Sequence, residues 1–128
     1  MVTKVVGETI VTETMHERKM KIYELSRCFL ALPGGLGTMD ELFEVLTWQQ
    51  LGIHAKPVAV LNMEKFYDPL LRMLENAQQE GFCREQDSKR CNVFNDWKDV
   101  IPGFEELLQK QTPDAVIEWD ANSKLKVL

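Results

Sequence analysis

Apolar residues fall along this chain in two patterns, short continuous runs and longer segments in which they recur every three or four positions. The runs CFLALP (28–33) and KPVAVLN (56–62) predict strands that are buried on both faces. CNVFN (91–95) is predicted to be a third, short strand, and ETIVTE (8–13) is a candidate for another. No run approaches the length of a membrane span or resembles the core of a signal peptide, so no membrane association is expected.

The segments with helical periodicity lie between these strands. Helices are predicted over 15–27, 38–51 and 68–81, with further helical turns between 96 and 110. The third helix has clear end signals, because Asp68 is a good N-cap, Pro69 fits the first helical position and Gly81 is a typical terminator. The remaining segment, 112–128, has no clear period and is predicted to be a flexible C-terminal tail.

The alternation of strands and helices predicts an α/β fold. Strands joined by helices form a parallel sheet with helices on both faces, which is a Rossmann-like arrangement of three layers. A chain of 128 residues reads as one domain, here 1–111, followed by the tail. In such sheets ligands bind beyond the carboxyl ends of the strands, where the loops lead into helices.

Composition and charge argue against some classes of function. The chain is 45% hydrophobic and 27% charged, as in ordinary globular proteins, and its net charge of −5 argues against general nucleic-acid binding. The three cysteines, Cys28, Cys83 and Cys91, have no metal-like spacing. They predict free thiols in a reducing compartment, and their spacing predicts no metal site.

A glycine-rich loop, PGGLGT (33–38), stands between the first predicted strand and its helix. Gly34, Gly35 and Gly37 permit positive φ angles and leave the backbone amides open, so the loop could cradle a phosphate. A tight turn that binds nothing is the alternative. Thr38 and Glu41 have the spacing of a capping box, which competes with a catalytic role for Glu41.

Two residues outside the loop are unexpected where they stand. Arg18 lies on the apolar stripe of the first helix and near its N-terminus, where an anion such as a phosphate or Glu41 would explain it. An arginine that snorkels to solvent is the alternative. Trp48 and Leu51 lie away from the predicted core stripe of the second helix, which indicates either a surface covered by a second copy of the chain or a lone exposed tryptophan.

The paired motifs MHERK (15–19) and PGGLGTMDE (33–41) resemble the LOG family, the cytokinin-activating phosphoribohydrolases that are often described as lysine decarboxylases. The resemblance runs from about 7 to 82 and is highly specific, since the two motifs also have the family's separation. GET before the first motif, and FYDPLL and EGF after the second, also fit.

The resemblance implies a Rossmann-like homodimer, with Trp48 and Leu51 as candidate interface residues. It also implies hydrolysis of the N-glycosidic bond of N6-substituted adenosine 5′-monophosphates to free base and ribose 5-phosphate, in the cytoplasm and in some cases also the nucleus, without a cofactor. By residue match Arg18 and Glu41 are the catalytic pair. The substrate-binding residues implied in the same way are Met15, Lys19, Gly34, Gly35, Gly37 and Thr38.

The family pattern begins with a strand–helix half that carries another glycine-rich loop, and this sequence starts downstream of it. We therefore expect an incomplete sheet in which the strand at 28–33 has an open apolar edge. Two alternatives to the hydrolase follow. One is a truncated, catalytically impaired remnant that binds nucleotides or forms dimers, and the other is a binding protein like the molybdenum-cofactor carriers.

Overall fold

A computed structural model describes residues 9–111 and 125–128. The described part contains five α-helices and four strands. In chain order they are α1 (Met15–Leu25), β1 (Cys28–Ala31), α2 (Leu36–Gln50), β2 (Val58–Leu61), α3 (Asp68–Gln79), α4 (Glu85–Ser88), β3 (Cys91–Phe94), α5 (Val100–Gln111) and β4 (Leu125–Val127). Short 3-10 turns at Met63–Lys65 and Trp97–Asp99 precede α3 and α5. None of the helices in the described part combines the length and the apolar character needed to cross a bilayer.

The strands form one parallel sheet in the order β3-β2-β1-β4. From β1 to β3 the chain moves steadily towards one edge, and after α5 it returns to the other side of β1. Right-handed crossovers in opposite directions place their helices on opposite faces of a sheet. The chain therefore builds the three layers that the alternating pattern predicts, and the α/β class is confirmed.

The side chains of β1 show how the two faces are filled. Phe29 and Ala31 pack with the helices α1, α2 and α3, whereas Cys28 and Leu30 pack with α5 on the opposite face. All four are fully buried, as are the four residues of β2. Burial on both faces explains why these strands read as continuous apolar runs.

Several observed helix ends differ by one or two residues from the ends that the sequence predicts. The third helix has its proline in the first turn and ends before Gly81, which adopts a φ of 83°. Its N-cap is Tyr67 rather than Asp68. The second helix begins at Leu36, two residues before the predicted start at Thr38. The candidate strand 8–13 is wrong for residues 9–13, which form no strand, while Glu8 lies outside the described residues.

The C-terminal strand β4 was not predicted. It pairs in parallel with β1, with Cys28 opposite Leu125 and Leu30 opposite Val127. The edge of β1 that was expected to be open is therefore paired. Pairing with Leu125–Val127 gives the backbone groups along this edge of β1 hydrogen-bonding partners, which they would otherwise lack. The prediction of a flexible tail stays a prediction for 112–124, which lies outside the described residues.

Candidate functional site

The glycine-rich loop lies at the carboxyl end of β1 and leads directly into α2. The N-cap of α2 is Gly35, and no described side chain caps this end of the helix. The first amides of a helix have no partners within it, so they and the positive end of the helix dipole favour an anion. The predicted capping box between Thr38 and Glu41 is wrong, because both residues already lie inside the helix.

None of the three glycines at the start of α2 has a positive φ angle, and only Gly34 is needed for space. Among the described glycines only Gly52 and Gly81 have positive φ, so the expected left-handed conformation of the loop is not adopted. A Cβ on Gly34 would lie 2.4 Å from the hydroxyl oxygen of Thr38. A Cβ on Gly35 would meet no atom within 4 Å, and the same holds at Gly37. The loop thus packs closely on one side and is open on the other, as a backbone anion site requires.

A polar cluster joins α1 to the third turn of α2. The Lys19 ammonium lies 3.2 Å from Oε2 of Glu44, and the Tyr23 hydroxyl donates to Oε1 of the same carboxylate at 3.4 Å. The hydrogen bond and the charge of Glu44 raise the pKa of Lys19, and Asp40 and Glu41 add smaller contributions. Lys19 is therefore the cation of α1 that pairs with α2, and the contact lies at Glu44 in the third turn of that helix.

Arg18 occupies a different side of α1. It lines a cleft of about 230 Å³ whose other walls include Ile10, Thr12, Ile22 and Leu25. Within the described ranges no ion pair joins Arg18 to Glu41, which is partly buried on α2. Of the residues predicted to share a stripe with Arg18, Ile22 and Leu25 line the same cleft, which the segment before α1 helps to form. Ile22 also packs against the core.

The remaining predicted binding and interface residues differ in how exposed they are. Met15 is 65% exposed at the start of α1. Trp48 packs edge-to-face against Tyr23, with ring centroids 4.8 Å apart, and contacts the core on the α1 side of the sheet. Leu51, just after α2, is 67% exposed. Of the two candidate interface residues, Leu51 is thus the more available to a second copy.

Sequence reasoning missed Glu44 and Tyr23 as members of this site. The signal was weak: Tyr23 follows Lys19 by four residues and Glu44 follows Glu41 by three, so each shares a helix face with its predecessor. The three cysteines are free, as predicted, and burial raises the pKa of Cys28 and Cys91 to about 12. Their thiols are therefore poor nucleophiles at neutral pH.

Comparison with known proteins gives consistent results. The family described as "Possible lysine decarboxylase" matches residues 1–104. A probable cytokinin riboside 5′-monophosphate phosphoribohydrolase of Oryza sativa subsp. japonica is 52% identical over 105 residues, covering 82% of this chain and 44% of that protein. A cytokinin riboside 5′-monophosphate phosphoribohydrolase of Arabidopsis thaliana is 41% identical over 128 residues, covering 94% of this chain and 53% of that protein. The chain spans about half the length of these curated relatives.

Proposed function

The chain belongs to the family described as possible lysine decarboxylase, and from this we propose that it hydrolyses the N-glycosidic bond of N6-substituted adenosine 5′-monophosphates. The names of relatives that are 41% to 52% identical support this reaction. In it the bond between the base and C1′ of the ribose breaks. Water supplies a hydroxyl to C1′ and a proton to the base, so the products are free base and ribose 5-phosphate.

The observation that carries the proposal is the uncapped, open N-terminus of α2. In this proposal the amides after Gly35 receive the 5′-phosphate, and the hydroxyl of Thr38, which lies against Gly34, donates to it. The ammonium of Lys19 is drawn from Glu44 towards the phosphate. A phosphate held there anchors the nucleotide away from the bond that breaks. Binding energy at the remote phosphate is then used to position the ribose for reaction.

The chemistry itself falls to Glu41 and Arg18. Cleavage of a glycosidic bond builds positive charge on the ribose ring, and a carboxylate next to the ring stabilises that charge and orients the attacking water. Glu41 lies one turn into α2, behind the phosphate site, and is not engaged in capping. In the proposal Arg18 binds the nucleotide from the α1 side. Because Arg18 lines a cleft on another side of α1, its side chain must move when the nucleotide binds, and such rearrangements are common.

The test is to incubate the purified chain with isopentenyladenosine 5′-monophosphate and measure the released base by chromatography. We expect equal amounts of base and ribose 5-phosphate, with release abolished by Glu41→Gln. Glu106→Gln is a charge-matched control, because Glu106 pairs with Lys110 on the surface of α5. Absence of release, or equal release by Glu41→Gln, would refute the proposal.

A nucleotide-binding remnant without turnover is the second candidate. It is favoured by the absence of an Arg18–Glu41 ion pair in the described part. This candidate predicts that adenosine 5′-monophosphate binds while no base is released. Release that depends on Glu41 would eliminate it.

We also propose that the chain forms a homodimer in a reducing compartment such as the cytoplasm. The exposed side chains of Leu51 and Ile53, 67% and 57% accessible, support an apolar contact after α2, and the free thiols support the compartment. Sedimentation should give twice the chain mass, and Leu51→Lys should reduce it to one chain. A monomer at all concentrations would contradict the dimer.

A further inference from the structure

Glu44 on α2 makes polar contacts with two residues of α1. Its two carboxylate oxygens have different partners, the Lys19 ammonium at 3.2 Å and the Tyr23 hydroxyl at 3.4 Å. The side chains of the ion pair are only 32% and 21% accessible. Tyr23 is in turn held by edge-to-face contacts with Phe29 on β1 and with Trp48 on α2. The carboxylate is therefore tied to a rigid part of the core.

The charges around Lys19 show why such a tether would be useful. Asp40, Glu41 and Glu44 all contribute to raising the pKa of the Lys19 ammonium. Near the N-terminus of α2 one ammonium thus faces three carboxylates. A free lysine side chain has many rotamers, and fixing it before a ligand arrives removes an entropic cost from binding.

We propose that Glu44 is a positioning residue for nucleotide binding, which holds the ammonium of Lys19 beside α2 before the nucleotide arrives. This role of Glu44 rests on the proposed function and adds to it the residue that positions Lys19. Glu44 acts through Lys19 and does not itself contact the nucleotide. Tyr23 fixes the carboxylate from the core side, so the order of contacts runs from Tyr23 through Glu44 to Lys19.

The test measures binding of adenosine 5′-monophosphate by calorimetry, which needs no turnover. Glu44→Gln removes the ion pair and keeps an oxygen for the Tyr23 hydroxyl, and we expect it to weaken binding about fivefold, the order of one charge-assisted contact. Glu106→Gln removes the same charge far from the loop and should leave binding within twofold. Both variants should retain the melting temperature of the unaltered chain within a few degrees, since both alter partly exposed ion pairs.

A double-mutant cycle separates positioning from a direct effect of charge. If Glu44 acts through Lys19, then Glu44→Gln has no further effect on affinity once Lys19→Met is present. Unchanged or tighter binding by Glu44→Gln alone, or additive losses in the double variant, would overturn the inference while leaving the nucleotide site intact. Failure of the unaltered chain to bind would refute the proposed nucleotide site and the inference together.

Discussion

Gly34 and Gly35 are adjacent in sequence, yet alanine should affect them in different ways. At Gly34 the new Cβ would lie 2.4 Å from Oγ1 and 3.0 Å from Cβ of Thr38. Rotation of the threonine side chain moves its hydroxyl but not its Cβ, so the loop or α2 must shift. Overpacking of this kind costs about 2 kcal/mol. For a domain of this size the melting temperature of Gly34→Ala should fall by roughly 8 °C.

At Gly35 the new Cβ would project into open space from a φ of −96°, which alanine adopts without strain. The loss of an N-cap glycine costs about 0.5 kcal/mol, so the melting temperature should change little. The methyl group would instead occupy open space at the N-cap of α2, where the proposed phosphate lies. We expect Gly35→Ala to weaken binding of adenosine 5′-monophosphate about tenfold, because a phosphate could no longer approach the backbone.

Thermal unfolding followed by circular dichroism, with calorimetric titration on the same samples, measures both effects. Replacing Thr38 by alanine in the Gly34→Ala background removes the hydroxyl and one methyl group and should restore part of the lost stability. If Gly34→Ala melts like the unaltered chain, Thr38 does not crowd Gly34. If Gly35→Ala binds the nucleotide as tightly as before, the phosphate does not lie at this end of α2.

Three further predictions concern the scaffold and are tested by urea unfolding. Lys65 has a φ of 61°, so Lys65→Gly should stabilise the chain by about 0.5–1 kcal/mol, and a loss of stability would contradict this. Gly103→Ala should destabilise α5 by about 1–3 kcal/mol despite the better helix propensity, because the added Cβ would lie 2.3 Å from a ring carbon of Phe94, and a gain would refute the clash. Burial lowers the pKa of His54 from its ordinary 6.5, so below about pH 6.5 the unfolded state takes up a proton that the folded state does not. The free energy of unfolding should therefore fall as the pH drops from 6.5, more steeply than in His54→Gln, and parallel pH profiles would show that His54 is not the cause.

The parts of the fold that follow local rules could be predicted from the sequence. The two inner strands are apolar at every position because both faces are covered, and such unbroken apolar runs are typical of the inner strands of a parallel sheet. The third helix carries its own end signals in Pro69 and Gly81. β4 could not be predicted in this way, because three residues carry no periodicity and their pairing with β1 depends on a partner about a hundred positions earlier.

The location of the candidate site could be predicted from the sequence, but its side-chain contacts could not. The loop after β1 lies where ligands bind in parallel sheets, and its glycines marked that place. The start of α2 was predicted two residues late, because the helix begins without a side-chain cap and Thr38 looked like one. Which cation of α1 faces α2 is decided by the rotation of α1 about its own axis when it packs, because adjacent residues point about 100° apart, and the sequence of α1 alone does not determine that rotation. The contact is made by Lys19, the neighbour of Arg18.

In the proposed complex the phosphate of a nucleotide lies on the amides that open α2, and amide chemical shifts report this contact. Adenosine 5′-monophosphate and adenosine should each be titrated into the isotope-labelled chain. We expect the monophosphate to shift the amides of Gly35, Gly37 and Thr38 in a saturable way, while adenosine should leave them nearly unchanged. If the monophosphate leaves these amides unmoved while shifts appear elsewhere in the chain, the phosphate does not bind at the start of α2.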